Sequence, residues 1–247
     1  MTMQTIRWII CGFAVLFVTT YAVRAQQPAA PSTSGTQRTG GAASAQFTTD
    51  VQNVRLLFRE AWKQQPDGKQ HPVTPEVVSN PSLELKLYGA SAKEILVTGS
   101  NTEPDGIIWL FNGLTTTPIA VTLRHKDSYI DLSGAAKIRW TIRTSGFHAA
   151  RQVVKLADGT WLIGDRADVS LNFFNEIEFS PATIRWLALN IDRVVTKNQT
   201  NGQWIDNPDL TKVDEVGYSD LMPGSGHGFG GWASLGPIAV HGRPVKR

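Results

Sequence analysis

From Leu83 onward the chain alternates short apolar runs with turn residues. In LELKLYG, Leu83, Leu85 and Leu87 fall on one side and Glu84 and Lys86 on the other. A period of two marks a strand with one buried face. EILVTGS, GIIWLFNG, PIAVTLRH and SYIDLSG follow, each bounded by Gly, Asn, Asp or Pro. AKIRWTIRT is the clearest strand, with Ile138, Trp140 and Ile142 against Arg139, Thr141 and Arg143. RQVVKLA and TWLIG are joined by Asp158-Gly159, a hairpin signal in which both turn positions are expected at positive φ. A strand pair is expected over Glu178 to Ile191 around Pro181, and TNGQWIDNPD is expected as a loop. KVDEVGYSDL gives a further strand, and WASLGPIAVHG a strand kinked at Gly236-Pro237. Strands at this regular spacing predict an all-β sandwich or barrel.

One segment follows a different period. Val51, Val54, Phe58 and Trp62 recur at helical spacing after Thr49-Asp50, and Pro66-Asp67-Gly68 closes the run. This predicts one N-terminal amphipathic helix with Asp50 near its N-cap. No fixed-period repeat is present, so residues 47 to 247 are expected to form a single β-sandwich domain.

The N-terminus changes the picture. Residues 1 to 25 carry Arg7, an apolar run from Trp8 to Val18 and a Val23-Arg24-Ala25 processing site, the layout of a secretory signal peptide. The apolar run is short against the ~20 residues of a span, so no transmembrane segment is expected after signal removal. Residues 26 to 46, small and polar, are expected as a disordered linker. The protein is thus expected to be secreted or periplasmic. Its one cysteine, Cys11, lies in the signal, so the mature chain has no disulfide, cysteine nucleophile or thiolate metal site. The net charge of +3 includes Arg7 and Arg24, so removing the signal leaves +1. With no basic block in addition, no nucleic-acid partner is expected.

The candidate chemistry gathers in Asp206 to Trp232, a polar turn, a short strand and a glycine-rich loop carrying His227. Long loops of this kind are more often functional than not. His227, with Asp220 as its nearest upstream carboxylate, reads either as a general base or as a packed or merely exposed loop histidine. Arg139 and Arg143 share a strand face and could grip a carboxylate or sugar hydroxyls; the other reading is an ordinary solvated face. Trp161, Trp204 and Trp232 lie at or beside loops, where they either stack on sugar C–H faces or plug the ends of the sandwich. Trp140 and Trp186, in mid-strand, are expected in the core. No cofactor is expected, although a jelly roll could hold a structural calcium on Asp and backbone carbonyls. The histidines lack zinc-ligand spacing.

SYIDLSGAAKIRWTIRTSGFHAARQVVKLADGTWLIGD, VDEVGYSDLMPGSGHGFGGW and PIAVHGRPV together resemble a family of uncharacterised secreted bacterial proteins. More coarsely, Asp131-Leu132-Ser133, DLTKVDEVGY and the closing Val240-His241-Gly242 are similar to galactose-binding-like jelly rolls, the carbohydrate-binding modules among them. Phe111-Asn112-Gly113 resembles a piece of secreted domains that hydrolyse 3-keto-disaccharides. The resemblances imply a galactose-binding-like jelly-roll β-sandwich with glycan or polysaccharide as partner. The expected function is a non-catalytic carbohydrate-binding or cell-surface interaction module. Arg139, Arg143, Trp161, Asp220, His227 and Trp232 are its candidate ligand-binding residues. A glycan-active hydrolase or lyase and a structural envelope protein are the alternatives.

Overall fold

The computed structural model describes residues 54–102, 106–196, 203–222 and 231–247. The expected signal, the expected linker, the start of the expected helix and His227 lie outside the described residues. The unit from Thr49 to Arg247 is a two-layer antiparallel β-sandwich. Its strands are β1 (Arg55–Glu60), β2 (His71–Pro72), β3 (Leu83–Tyr88), β4 (Leu96–Gly99), β5 (Ile108–Phe111), β6 (Ile119–His125), β7 (Ser128–Asp131) and β8 (Lys137–Gly146). After the midpoint come β9 (Ala150–Leu156), β10 (Trp161–Asp168), β11 (Asn175–Phe179), β12 (Trp186–Asn190), β13 (Val195–Thr196), β14 (Trp204–Ile205), β15 (Val213–Asp220) and β16 (Gly231–Lys246). The described helices are single 3-10 turns.

The first sheet runs β11-β8-β16, with β1 and the β5-β4-β2 ladder sharing the far edge of β16. The second runs β14-β12-β10-β9-β15-β6-β3. β16 belongs to both, because Arg243 to Lys246 leave the first sheet to pair with β7 beside β15. Its register slips between Leu235 and Ile238, where Gly236-Pro237 was expected to kink it.

Alternation decides which face is buried. Ile138, Trp140 and Ile142 from the first sheet meet Leu85, Leu123, Val154, Leu162, Val216 and Trp186 from the second in one core. Asp168 ties the layers together inside it, accepting from Trp140 Nε1 at 3.1 Å and Gln152 Nε2 at 3.0 Å.

Three expectations need correction. Arg55 to Glu60 form a strand, not a helix. This segment covers a free edge of β16, and a bulge between Leu56 and Phe58 breaks its alternation, which disguises the strand period. The buried Glu60 carboxylate then fixes the exit. It accepts from the backbone N–H groups of Ala61, Trp62, Ser79 and Asn80 and from the Ser79 hydroxyl, at 2.7 to 3.1 Å. The strands around Pro181 do not pair with each other: β11 pairs with β8 and β12 with β10, so the chain changes sheet there. At the β9–β10 hairpin only Gly159 has positive φ, at 91°. The turn is therefore not the type with two left-handed positions. Asp158 instead accepts from the Thr160 N–H at 2.8 Å.

Candidate functional site

The outer face of the second sheet carries three aromatic side chains. Trp204 pairs with Leu187, Leu187 with Ile163 and Ile163 with Val153, so the four share the face away from the core. Trp161, two residues before Ile163, and Tyr88, opposite in register to inward-facing Leu85 and Leu87, fall on it too. Trp204 and Trp161 are two strands apart, roughly 10 Å across the sheet. Val153, Ile163, Leu187 and Leu189 pack beneath Trp161, Ile191 and Leu221 as a small second apolar cluster.

At the sheet edge Trp204 borders a cleft of about 410 Å³, lined also by Arg185, Asp206, Asn207, Asp209 and, from the core side, Trp186 and Ile205. Trp204 is 41% exposed. The Arg185 guanidinium lies over its ring at 3.8 Å from the centroid, a contact that covers one ring face and restrains the indole. The short β14 pairing to β12 sets its position. Asn207 takes the left-handed conformation at φ 47°, turning the chain so that Asp206 and Asp209 border the cleft. Asp209 accepts from the N–H and hydroxyl of Thr211, and these bonds hold its carboxyl below the ordinary aspartate value. One cleft thus combines an open aromatic ring, a cationic fork of donors and carboxylate and amide groups. That is the equipment for a polyhydroxylated ring: stacking on its C–H face and bonding to its hydroxyls.

Further in, Trp161 and Tyr88 meet edge to face at 4.9 Å. Tyr88 donates to the buried Glu215 carboxylate at 2.9 Å, which also accepts from Thr122 at 2.5 Å and Lys155 at 3.2 Å. Burial, and then the Glu215 charge, push the Tyr88 hydroxyl well above its usual range. It stays a neutral donor, and both rings are held rigidly.

Of the six expected ligand-binding residues, His227 lies outside the described residues, and the other five do not form one site. Arg143 and Trp232 do come together. The Arg143 guanidinium sits over Trp232 at 4.9 Å, over Trp109 at 5.1 Å and over Phe174 at 4.5 Å, on the outer face of the first sheet. Arg139 shares that face, bonded to Glu178 at 2.6 Å. Trp161 is on the other sheet. Asp220 is fully buried, so it cannot meet a ligand as expected. It accepts from His148 Nδ1 at 2.5 Å, from Asn112 Nδ2 at 2.8 Å and from the Met222 N–H at 3.0 Å. Asn112 in turn accepts from the Ala233 N–H at 2.7 Å, so Phe111-Asn112-Gly113 serves as a brace between strands. Arg185, Tyr88 and His148 were not singled out. Tyr88 was findable as the polar-side end of LELKLY, whereas Arg185 and His148 carry no local signal. Among the described residues no group of three or more His, Asp or Glu could hold a metal ion, and no helix is long and apolar enough to cross a membrane.

No protein-family model matches the chain, and no curated protein does. Solved structures with a coarse likeness include carbohydrate-binding modules. The family 11 module of a cellulosomal cellulase of Clostridium thermocellum is 13% identical, with a TM-score of 0.38 over 74% of this chain and 95% of that one. A family 29 module in complex with mannohexaose is 10% identical, with a TM-score of 0.41 over 78% of this chain and 95% of that one. An exo-β-agarase is 11% identical, with a TM-score of 0.39 over 78% of this chain and 25% of that one.

Proposed function

We propose that this protein is a secreted, non-catalytic carbohydrate-binding module whose glycan stacks on Trp204 in the edge cleft of the second sheet. The observation that carries the reading is the Trp204 ring, 41% exposed and pinned by Arg185 in a cleft of about 410 Å³ bordered by Asp206, Asn207 and Asp209. An immobilised aromatic offers large contact area at small entropic cost, and the surrounding donors and acceptors suit hydroxyl groups. Titration against a panel of neutral polysaccharides, following tryptophan fluorescence and reducing-sugar release together, tests it. A fluorescence change without product is expected. Trp204→Ala should weaken binding by about tenfold, the loss of one stacking contact. Unaltered binding by that variant would refute the assignment.

A second reading, a glycan-active hydrolase, has one observation in its favour. Among the described residues His148 Nε2, buried, has no hydrogen-bond partner while Asp220 holds the other ring nitrogen, the carboxylate–imidazole pairing that can hold a general base. Product release that disappears in His148→Asn would make this the better account.

A further inference from the structure

We propose that the outer face of the first sheet holds a separate binding site for the anionic group, carboxylate or sulfate ester, of an acidic glycan, seated between Arg59 and Arg139. The register builds it. Ala239 of β16 pairs with Arg59 of β1 on one side and with Arg139 of β8 on the other. Residues directly opposite across strands project from the same face, so two arginines flank one methyl group. The small side chain leaves a trough of about 210 Å³, with Arg59, Arg139, Glu176 and His241 around it and Leu56 and Pro237 as its apolar wall.

The charges around the trough do not balance. Arg139 bonds to Glu178 at 2.6 Å and lies 3.8 Å from Glu176, and Lys137 takes the other Glu178 oxygen at 2.7 Å. Arg59 has neither an ion pair nor a side-chain hydrogen bond among the described residues. Arg59 is thus the cation lining the trough that has no carboxylate partner among the described residues, whereas Arg139 is paired with Glu178 and Glu176. An anion between the two forks relieves their mutual repulsion and accepts paired N–H bonds. Leu56, 53% exposed, and Pro237 offer apolar contact to the ring that carries the anion. This site does not rest on the Trp204 cleft, which lies on the other sheet.

The test is calorimetric titration of the full chain at low salt with three oligosaccharides of equal length: a polyuronate, a sulfated galactan and a neutral glucan. The variants are Arg59→Gln, Ala239→Leu and Trp204→Ala. Arg59 holds nothing else in place, so Arg59→Gln should fold as the parent does. Binding of at least one acidic chain is expected, weakened by added salt. Arg59→Gln should lower it roughly tenfold, Ala239→Leu should abolish it by filling the trough, and Trp204→Ala should leave it unchanged. A response to the polyuronate alone would identify the group as a carboxylate, and to the galactan alone as a sulfate ester. No binding of either acidic chain, unchanged binding by Arg59→Gln, or loss in Trp204→Ala would each overturn the proposal.

Discussion

Single side chains in this protein do their work through buried or shielded charge. Glu60 gathers five donors on one carboxylate, so Glu60→Ala leaves buried N–H groups unpaired and should cost about 3 kcal/mol in a denaturant titration. Acid stability follows from three other carboxylates. Lys137 and Arg139 bring Glu178 down to about 2. Burial works to raise Asp131, but Ser133 and Arg243 hold it below the ordinary value, and Arg247 and Arg124 do the same for Asp214. A carboxylate depressed in the folded state stabilises the fold above its unfolded value, near 4 to 4.5. That contribution is lost as pH falls through the folded value. Melting temperature should therefore be flat above pH 5 and decline from about pH 4.5 toward pH 2. Asp131→Asn should make the decline shallower. Asp131 stood in the sequence only as part of Asp131-Leu132-Ser133, and its bond to Arg243, 112 positions away, has no local signal; nor have the Glu60 bonds to Ser79 and Asn80.

Strands with one wet face were legible because alternation survives in them. LELKLY became β3 and IRWTIR part of β8, with the expected Leu, Ile and Trp side chains inside. Where the element departs from a period of two, the reading failed. A bulge placed Leu56 outside and Phe58 inside, so β1 presented the spacing of a helix. The turn at Pro181 hid a change of sheet between β11 and β12. β16 is the element on which both layers depend, since β1, β5, β7 and β8 all pair with it. Val240 lies inside that strand, paired with β1 on one side and β8 on the other. Proline there removes a ladder donor in a central strand. Val240→Pro should destabilise the fold by ~3 kcal/mol or more, read as a collapse of the cooperative unfolding transition. If the transition is unchanged, β16 does not have the central role given to it.

The molecule as a whole joins a sandwich whose class was readable from its strands to an aromatic face, the proposed ligand face, that was only half readable. Trp161 and Trp204 were visible as tryptophans near turns. That they share a face with Tyr88 depends on sheet order, and sheet order is set by long-range pairing. The glycine-rich loop drew attention to Asp220, whereas the structure uses Asp220 as a buried brace for His148 and Asn112. Export is a proposal at this scale: cleavage after Ala25 would leave a chain beginning at Gln26, and N-terminal sequencing of protein recovered outside the cytoplasm, reading from Gln26, checks it. The measurement that bears most directly on the central claim is affinity electrophoresis of the parent and Trp204→Ala through gels carrying neutral polysaccharides. The expected result is retardation of the parent in at least one gel, with Trp204→Ala retarded far less at the same polysaccharide concentration, as a roughly tenfold weaker affinity requires. Equal retardation of the two, or none in any gel, would contradict the account.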